Sequence, residues 1–72
     1  MGSFSNISGR NATRIFGKFG YVVDHQTGSH MILAHASRPT LSVPNHSELA
    51  PGLVRGLIRK SGLTVEEFLS EK

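Results

Sequence analysis

The fold is decided by two short runs, Tyr21-Val22-Val23-Asp24-His25-Gln26 and Ser29-His30-Met31-Ile32-Leu33-Ala34-His35, which are joined by Thr27-Gly28. β-Branched and aromatic residues are frequent in these runs, and the glycine between them favours a tight turn. The sequence therefore predicts an antiparallel hairpin. Side chains alternate between the two faces of a strand. The second strand is partly apolar on both faces, with His30, Ile32 and Ala34 on one and Met31, Leu33 and His35 on the other. The pattern therefore does not determine which of these faces is buried.

A third strand is predicted directly after the hairpin. The run Thr40-Leu41-Ser42-Val43 alternates apolar and polar residues, which places Leu41 and Val43 on a buried face. Pro39 precedes this strand and Pro44 ends it, in agreement with the positions that proline takes in sheets.

Two amphipathic helices flank the strands. Before the hairpin, apolar residues recur at the spacing of one helix face, with Ser8 as the N-cap and Gly20 as the stop. After the strands, a second helix begins near Pro51 and ends at Gly62. The predicted buried residues are Ala12, Ile15, Phe16 and Phe19 in the first helix, and Leu53, Val54, Leu57 and Ile58 in the second.

A short third helix, about Val65 to Ser70, follows the capping-box pattern Thr64-Val65-Glu66-Glu67. The complete order is helix, three strands, helix and short helix, which predicts an α+β domain of two layers, with helices on one face of the sheet. Residues 1–7 are interpreted as a loose leader or an expression remnant, and residues 8–72 as one domain.

Composition excludes several classes of protein. The 72 residues are 38% hydrophobic and 18% charged, as in an ordinary globular domain, and they contain no cysteine for a disulfide or a thiolate metal site. A chain this short buries only about 60% of its unfolded surface, so its own core gives little stability. No apolar run approaches the roughly 20 residues that span a bilayer. We therefore expect a cytoplasmic protein without a membrane segment.

The positive charge is concentrated in the body of the chain. The net charge is +3, and residues 1–62 carry seven basic against two acidic side chains. A basic body favours phosphate backbones or acidic protein partners. The predicted helices carry basic stripes, Arg10, Arg14 and Lys18 on the first and Arg55, Arg59 and Lys60 on the second. A solvated surface explains these stripes as well as phosphate contact does.

The motif with the clearest chemical meaning is Gly28-Ser29-His30 at the hairpin turn. Glycine permits a positive φ and lets a polymer backbone approach closely. A histidine just after the turn is accessible to a large substrate, and imidazoles titrate near neutral pH, as a general acid or base must. The alternative is a surface histidine that follows a turn by chance. The four histidines do not have the spacing of a zinc site, and we predict no metal.

Further runs follow the Gly28-Ser29-His30 motif along the chain. They are His35, Leu41-Ser42-Val43-Pro44-Asn45-His46, Glu48-Leu49-Ala50-Pro51-Gly52-Leu53-Val54-Arg55, Ile58-Arg59 and Gly62-Leu63-Thr64-Val65-Glu66-Glu67-Phe68-Leu69. Taken together, these motifs, over about Ser8 to Leu69, resemble the HicA family, the small toxins of HicA/HicB toxin–antitoxin pairs. That resemblance implies a fold like a double-stranded-RNA-binding domain, α-β-β-β-α, and mRNA cleavage without a metal or other cofactor. It implies that His30 is catalytic, that Gly28 and Ser29 shape the turn, and that a HicB-like antitoxin is the protein partner.

The expected site extends beyond His30. His46 stands in the Pro-x-His arrangement of many relatives, and either a substrate contact or a structural hydrogen bond fits it. His25 and Thr27 stand where basic residues are common in the family, which lowers the positive charge beside the scissile phosphate. The predicted substrate-binding residues are Gly28, Ser29, Arg10, Arg14, Lys18, Arg55, Arg59 and His46.

Two other functions remain open at this point. One is a module that binds RNA without cutting it, although Ala50-Pro51-Gly52-Leu53 replaces the lysine cluster that usually begins the last long helix of such domains. The other is a degenerate toxin that only binds its antitoxin. For the toxin, the expected reaction is internal transesterification of unpaired RNA, with His30 moving the proton.

Overall fold

In the computed structural model, which describes residues 4–72, one helix is followed by a three-stranded sheet and two further helices. This confirms the predicted order. The elements are α1 (Gly9–Gly17), β1 (Val22–Thr27), β2 (His30–Ala34), β3 (Leu41–Pro44), α2 (Pro51–Ser61) and α3 (Val65–Ser70). Within the described residues, no helix is long and apolar enough to cross a membrane.

The sheet is antiparallel in the order β1-β2-β3, and it settles which face of β2 is buried. Met31 and Leu33 face the core, whereas His30 is exposed and Ile32 and Ala34 are half-buried. The face that carries His30 is therefore the one turned away from the helices, and we call it the open face. The buried face continues into β3 through Leu41 and Val43, as predicted.

Predicted helix-end signals are found at Ser8, at Gly62 and at the Thr64–Glu67 capping box. The Ser8 hydroxyl accepts a hydrogen bond from the Asn11 N–H at 2.9 Å, which satisfies one free donor at the start of α1. Thr64 and Glu67 form the reciprocal capping box of α3. Gly62 ends α2 with a left-handed φ of 85°, which glycine adopts without steric cost. Helix α1 ends at Gly17 rather than at Gly20.

The core lies between the helices and the β2–β3 part of the sheet. Phe16 packs against Phe68 with ring centroids 5.1 Å apart and against Tyr21 at 5.6 Å. Both α1 and α2 contact β3. All six residues of β1 are exposed, because this strand extends beyond the area that the helices cover. The sheet is thus packed against the helices at β3 and exposed to solvent at β1.

Two predictions about buried residues need correction. Residues 4–7 are not a loose leader, because Phe4 and Ile7 belong to the core and the Ile7 carbonyl accepts the Leu49 N–H at 2.7 Å. The rest of the predicted leader, residues 1–3, lies outside the described residues. In α2, Leu53 is 39% exposed, and the inward face runs through Val54, Leu57 and Ile58 to Ser61. Ser61 is tolerated there because its hydroxyl donates to the Ile58 carbonyl at 2.7 Å.

Candidate functional site

The hairpin turn consists of Thr27, Gly28, Ser29 and His30, with Thr27 paired to His30. Gly28, the first of the two central residues, has a φ of 57°. A positive φ at that position is typical of a type II′ turn, which matches the twist of a hairpin. A Cβ at Gly28 would meet nothing within 4 Å, so conformation rather than space explains the glycine. The turn holds His30 at the beginning of β2.

Backbone hydrogen bonds join this turn to the segment that follows β3. The Asn45 N–H donates to the Ser29 carbonyl at 2.6 Å, and the Gly9 N–H donates to the His46 carbonyl at 2.9 Å. His30 is also paired with Pro44. We call this place the junction, and it consists of Gly28–His30, Pro44–His46 and Ser8–Gly9. It brings His30 and the His46 backbone to one end of the sheet, beside the beginning of α1.

Gly9 is required by the close approach of the chains at the junction. A Cβ on this residue would lie 2.0 Å from the Pro44 carbonyl oxygen, which is far inside van der Waals contact. The helix can therefore begin directly on the end of β3. The sequence analysis did not identify Gly9, because its need for space depends on a contact with a residue 35 positions later in the chain.

His30 is exposed on the open face, where its neighbours are fixed by strand pairing. Thr27 lies directly opposite it on β1, and His25 pairs with Ile32 one step further along the same face. The half-buried Ile32 separates His30 from the middle of the sheet. The imidazole of His30 is thus open to solvent on a face that the helices leave uncovered.

A contact between His25 and Asp24, near His30, was not predicted from the sequence. The Nδ1 atom of His25 lies 2.7 Å from the Oδ2 atom of Asp24, and both side chains are more than half exposed. Neighbouring residues of a regular strand point to opposite faces. Here the register shifts between Val23 and His25, so Asp24 lies in a bulge. A bulge redirects side chains locally, and this one allows the contact. From the sequence, His25 was interpreted only as a lost positive charge.

The basic residues predicted on α1 are all exposed. Arg10 lies in the first turn of the helix, next to Gly9 and hence to the junction. Arg14 donates to the Oδ1 atom of Asn11 from Nε at 3.2 Å and from Nη2 at 2.7 Å, which holds its guanidinium along the helix. Lys18 is the C-cap residue, at the opposite end of α1. Only the first of the three is therefore adjacent to the junction in the chain.

The basic residues predicted on α2 belong to a different part of the surface. The guanidinium carbon of Arg55 lies 5.1 Å from the centroid of the Phe4 ring, a cation–π contact. This contact links α2 to the N-terminal segment rather than to the junction. Arg59 is exposed in the last turn of α2, where a cation interacts favourably with the helix dipole. Both residues thus have structural contributions beside any contact with a ligand.

His35 and Tyr21 form a structural cluster on the buried side of the sheet. The Nε2 atom of His35 lies 2.8 Å from the Phe19 carbonyl, and its Nδ1 accepts the Ser37 N–H at 3.0 Å. The Tyr21 hydroxyl donates to the Pro39 carbonyl at 2.8 Å. Burial raises the pKa of Tyr21, and the nearby Arg38 lowers it by a smaller amount. These contacts fasten the loop between β2 and β3, away from His30.

Across residues 4–72, no group of three or more histidine, cysteine, aspartate or glutamate side chains is arranged to hold a metal ion. His25 and His30 share the open face, but Asp24 is the carboxylate that contacts a histidine there. The chemistry that these residues can perform is proton transfer by imidazole.

Comparisons with known proteins identify a similar family and a similar structure. Residues 9–63 match the model of the family described as the HicA toxin of bacterial toxin–antitoxin systems. A solved chain from a toxin–antitoxin complex of Streptococcus pneumoniae has 19% sequence identity and a TM-score of 0.71, over 79% of this chain and 98% of the other. That likeness supports the predicted α+β fold, α-β-β-β-α. No curated protein matches the sequence.

Proposed function

The chain belongs to the HicA family of toxins from bacterial toxin–antitoxin systems, and from this premise we propose that it cleaves single-stranded mRNA with His30 as general acid or base and without a metal. The observation that carries the proposal is the position of His30, which is exposed on the open face directly after the hairpin turn. The pairing of Thr27 with His30 and the hydrogen bond from Asn45 to Ser29 hold that turn in place. We place the reaction in the cytoplasm, where mRNA is available.

The reaction that fits His30 is an internal transesterification. In such a reaction an imidazole accepts the proton of a ribose 2′-hydroxyl or donates one to the departing 5′-oxygen. One positioned acid–base group typically contributes about 10²- to 10⁴-fold to the rate. Positioning requires a rigid support, and the hydrogen bond from Asn45 to Ser29 provides it at the residue before His30.

Unpaired RNA fits this surface better than a duplex. The open face and the turn are exposed, so a flexible strand can present its sugar and phosphate to His30 in the in-line geometry that a stacked helix resists. Arg10 directly follows Gly9 of the junction, and Arg14 and Lys18 extend the positive charge along α1. Binding should weaken with salt, with a slope of about −0.7 per phosphate contacted.

The experiment that tests His30 measures cleavage of single-stranded RNA by purified protein in excess chelator. We expect wild type and Val22→Thr, a control on the same open face, to cut equally well, and His30→Ala to be inactive while its unfolding curve stays unchanged. Equal cutting by His30→Ala would remove His30 from the mechanism. Cutting by wild type only after metal is added would refute the metal-free reaction.

The same experiment separates the two other functions. Tight, salt-dependent RNA binding without any cutting would indicate an RNA-binding module. Absence of both binding and cutting, with intact binding of the antitoxin, would indicate a degenerate toxin. The first outcome is disfavoured because α2 begins with Ala50, Pro51 and Gly52, where such a module would place cations that grip phosphates.

The proposed protein partner is a HicB-like antitoxin that covers the Thr27–His30 turn and part of a basic helix. A partner that binds only the folded toxin stabilises a small domain by mass action. An acidic surface would complement the exposed Arg55 and Arg59 and would speed association more than it tightens the complex. Contacts with the Thr27–His30 turn would place the antitoxin directly over His30.

The interface is tested by measuring association rates. We expect the double variant Arg55→Glu, Arg59→Glu to associate markedly more slowly, and His30→Ala to keep the affinity, since one side chain at the rim rarely dominates an interface. Because Arg55 also contacts Phe4, the unfolding curve of the double variant is measured in parallel. Cleavage that persists at saturating antitoxin, or contacts wholly away from the turn, would overturn the proposal.

A further inference from the structure

We infer that His25, oriented by Asp24, is the second proton-transfer residue of the site and serves as the general acid while His30 serves as the general base. The inference rests on the proposed ribonuclease function and extends it to a residue outside the Gly28-Ser29-His30 motif. It is carried by three observations: the shared face of the two histidines, their spacing, and the carboxylate that contacts one of them.

Strand pairing puts both histidines on the open face. Thr27 is opposite His30, and His25 is opposite Ile32. Paired residues of antiparallel strands point to the same face, so His25, Thr27, His30 and Ile32 share it. The bulge at Asp24 lies beyond these pairs and leaves their alternation intact.

The spacing of the two histidines suits a reaction at one phosphate. His25 and His30 are diagonal neighbours on adjacent strands, a relation that separates their Cα atoms by about 7–8 Å and keeps them within reach of long or aromatic side chains. In transesterification the attacking and leaving oxygens lie on opposite sides of phosphorus, so the base and the acid must flank it. Two imidazoles that each reach an oxygen at about 2.6–3.2 Å satisfy that requirement.

Asp24 determines which nitrogen of His25 is available. A carboxylate accepts hydrogen bonds and donates none, so the 2.7 Å contact with Nδ1 holds the proton on that atom. Nε2 then remains for exchange with the substrate, in the same way that an aspartate fixes the tautomer of a catalytic histidine. When His25 is protonated the contact becomes a salt bridge, and this is the form that a general acid requires.

Every proton and every bond to phosphorus is accounted for in the proposed reaction. The neutral imidazole of His30 accepts the proton of the 2′-hydroxyl as the 2′-oxygen forms its bond to phosphorus. The protonated imidazole of His25 gives its Nε2 proton to the 5′-oxygen as the bond between phosphorus and that oxygen breaks. The products are a 2′,3′-cyclic phosphate and a free 5′-hydroxyl, with one proton gained by His30 and one lost by His25. The titratable groups that β1 and β2 bring to this place are Asp24, His25 and His30.

The decisive experiment varies the leaving group. A single-stranded RNA that wild type cuts at a mapped bond is compared with the same RNA carrying sulfur in place of the 5′-oxygen at that bond, because a thiolate departs without a proton. We expect His25→Gln to lower kcat on the ordinary RNA by about 10²- to 10⁴-fold, the usual effect of a general acid, and to cut the sulfur substrate nearly as fast as wild type. His30→Ala should lose activity on both. Val23→Thr, on the other face of β1, is the control.

The pH profile gives an independent readout. A rate that needs one neutral and one protonated imidazole is bell-shaped in pH. Removal of the acid by His25→Gln should abolish the decline on the alkaline side and keep the acidic limb. Asp24→Asn should lower kcat with little change in KM, and Asp24→Glu should restore part of the loss. Unchanged unfolding curves are expected for all of these variants, because both side chains are exposed.

Failure of this inference differs from failure of the proposed function. If wild type cuts RNA and His30→Ala does not, yet His25→Gln is within threefold of wild type on ordinary RNA, the assignment of His25 is wrong and the function stands. Equal losses on the oxygen and sulfur substrates would also refute an acid role. If wild type cuts neither substrate, the proposed function itself is refuted.

Discussion

The helical layer and the β1–β2 hairpin differ sharply in what holds them. In the layer, Phe16 and Phe68 are fully buried and pack ring against ring, and α1 and α2 both contact β3. In the hairpin, every residue of β1 is exposed, and Val22 and Val23 are 63% and 51% accessible. The free energy of folding therefore resides in the helices and the buried face of the sheet, and the groups proposed for chemistry lie on the exposed face of the hairpin, which contributes little to it.

This separation explains how a small domain can carry exposed functional residues. Functional groups are often destabilising, because they leave polar or charged atoms in the wrong surroundings. Here His25 and His30 are in solvent, and the structure supports them through backbone pairing and through Met31 and Leu33 on the opposite face. Changes to the site should then cost activity without costing stability.

The largest expected effect comes from opening the core. Phe16→Ala should lower the free energy of unfolding by about 3–5 kcal/mol, since it removes a buried ring and leaves a cavity. The free energy of unfolding of a whole domain is only about 5–15 kcal/mol, so the variant should be mostly unfolded at moderate temperature. Urea titration followed by circular dichroism measures this, and a loss below 1 kcal/mol would contradict the assignment of the core.

A second test compares two glycines. Gly9→Ala should destabilise by about 1–3 kcal/mol, because its Cβ would collide with the Pro44 carbonyl and overpacking costs about that much. Gly56→Ala, in α2, should stabilise by up to about 1 kcal/mol, because its Cβ meets nothing within 4 Å and alanine favours a helix. Thermal unfolding of both variants measures the difference. The junction is not a close contact if the two changes have the same sign.

The Tyr21 hydroxyl should have a smaller and pH-dependent effect. Tyr21→Phe removes the bond to Pro39 and should cost about 0.5–1.5 kcal/mol at neutral pH. Burial raises the pKa of Tyr21 in the folded state, so the folded protein holds the phenol proton more tightly than the unfolded chain. Its contribution is fully present below the ordinary pKa of about 10 and is lost as the pH rises through the raised value.

Urea titrations between pH 8 and pH 11 measure that contribution. Wild type should lose stability at the alkaline end more steeply than Tyr21→Phe. Parallel pH curves for the two proteins would show that the hydroxyl does not titrate differently in the folded state.

The smallest expected effect lies in the hairpin. Val22→Thr and Val23→Thr should each change the free energy of unfolding by less than about 0.5 kcal/mol, as exposed substitutions usually do. The matched control is Val43→Thr in β3, where the same change buries a hydroxyl and should cost about 1–3 kcal/mol. Similar losses at all three valines would mean that β1 contributes to the free energy of unfolding as much as the core does.

Local signals in the sequence were sufficient for the elements and their ends. Ser8, Gly62 and the Thr64–Glu67 capping box act through neighbours one to four residues away, and all three are found as predicted. The alternation of Leu41 and Val43 likewise gave their buried face. These features depend on backbone geometry that a short stretch of sequence determines.

Features that depend on distant contacts could not be predicted. Phe4 and Ile7 stand in a segment without periodicity, and their burial depends on α2 and on Leu49. Leu53 was expected to be buried because its apolar character suggested a wider inward face than α2 has. The buried face of β2 could not be predicted, because both faces of this strand are partly apolar.

The candidate site divides in the same way. The motif at the turn predicted His30 as the candidate residue, and the family resemblance implied its catalytic role, which stays a prediction. The contact between Asp24 and His25 depends on a one-residue register shift between β1 and β2. The sequence spacing does not predict that shift. The roles of Arg55 and Arg59 stay predictions, and the cation–π contact of Arg55 with Phe4 could not be foreseen.

The junction has a consequence for how such a toxin can diversify. Two backbone hydrogen bonds hold it together, from the Asn45 N–H to the Ser29 carbonyl and from the Gly9 N–H to the His46 carbonyl. Nearly every amino acid supplies both groups, so the side chains at 29, 45 and 46 can be exchanged while the chain path persists. Gly9 is the exception, since its place has no room for a Cβ. Under the proposed function, substitution at these positions can therefore change the RNA preference and the antitoxin pairing without rebuilding the scaffold.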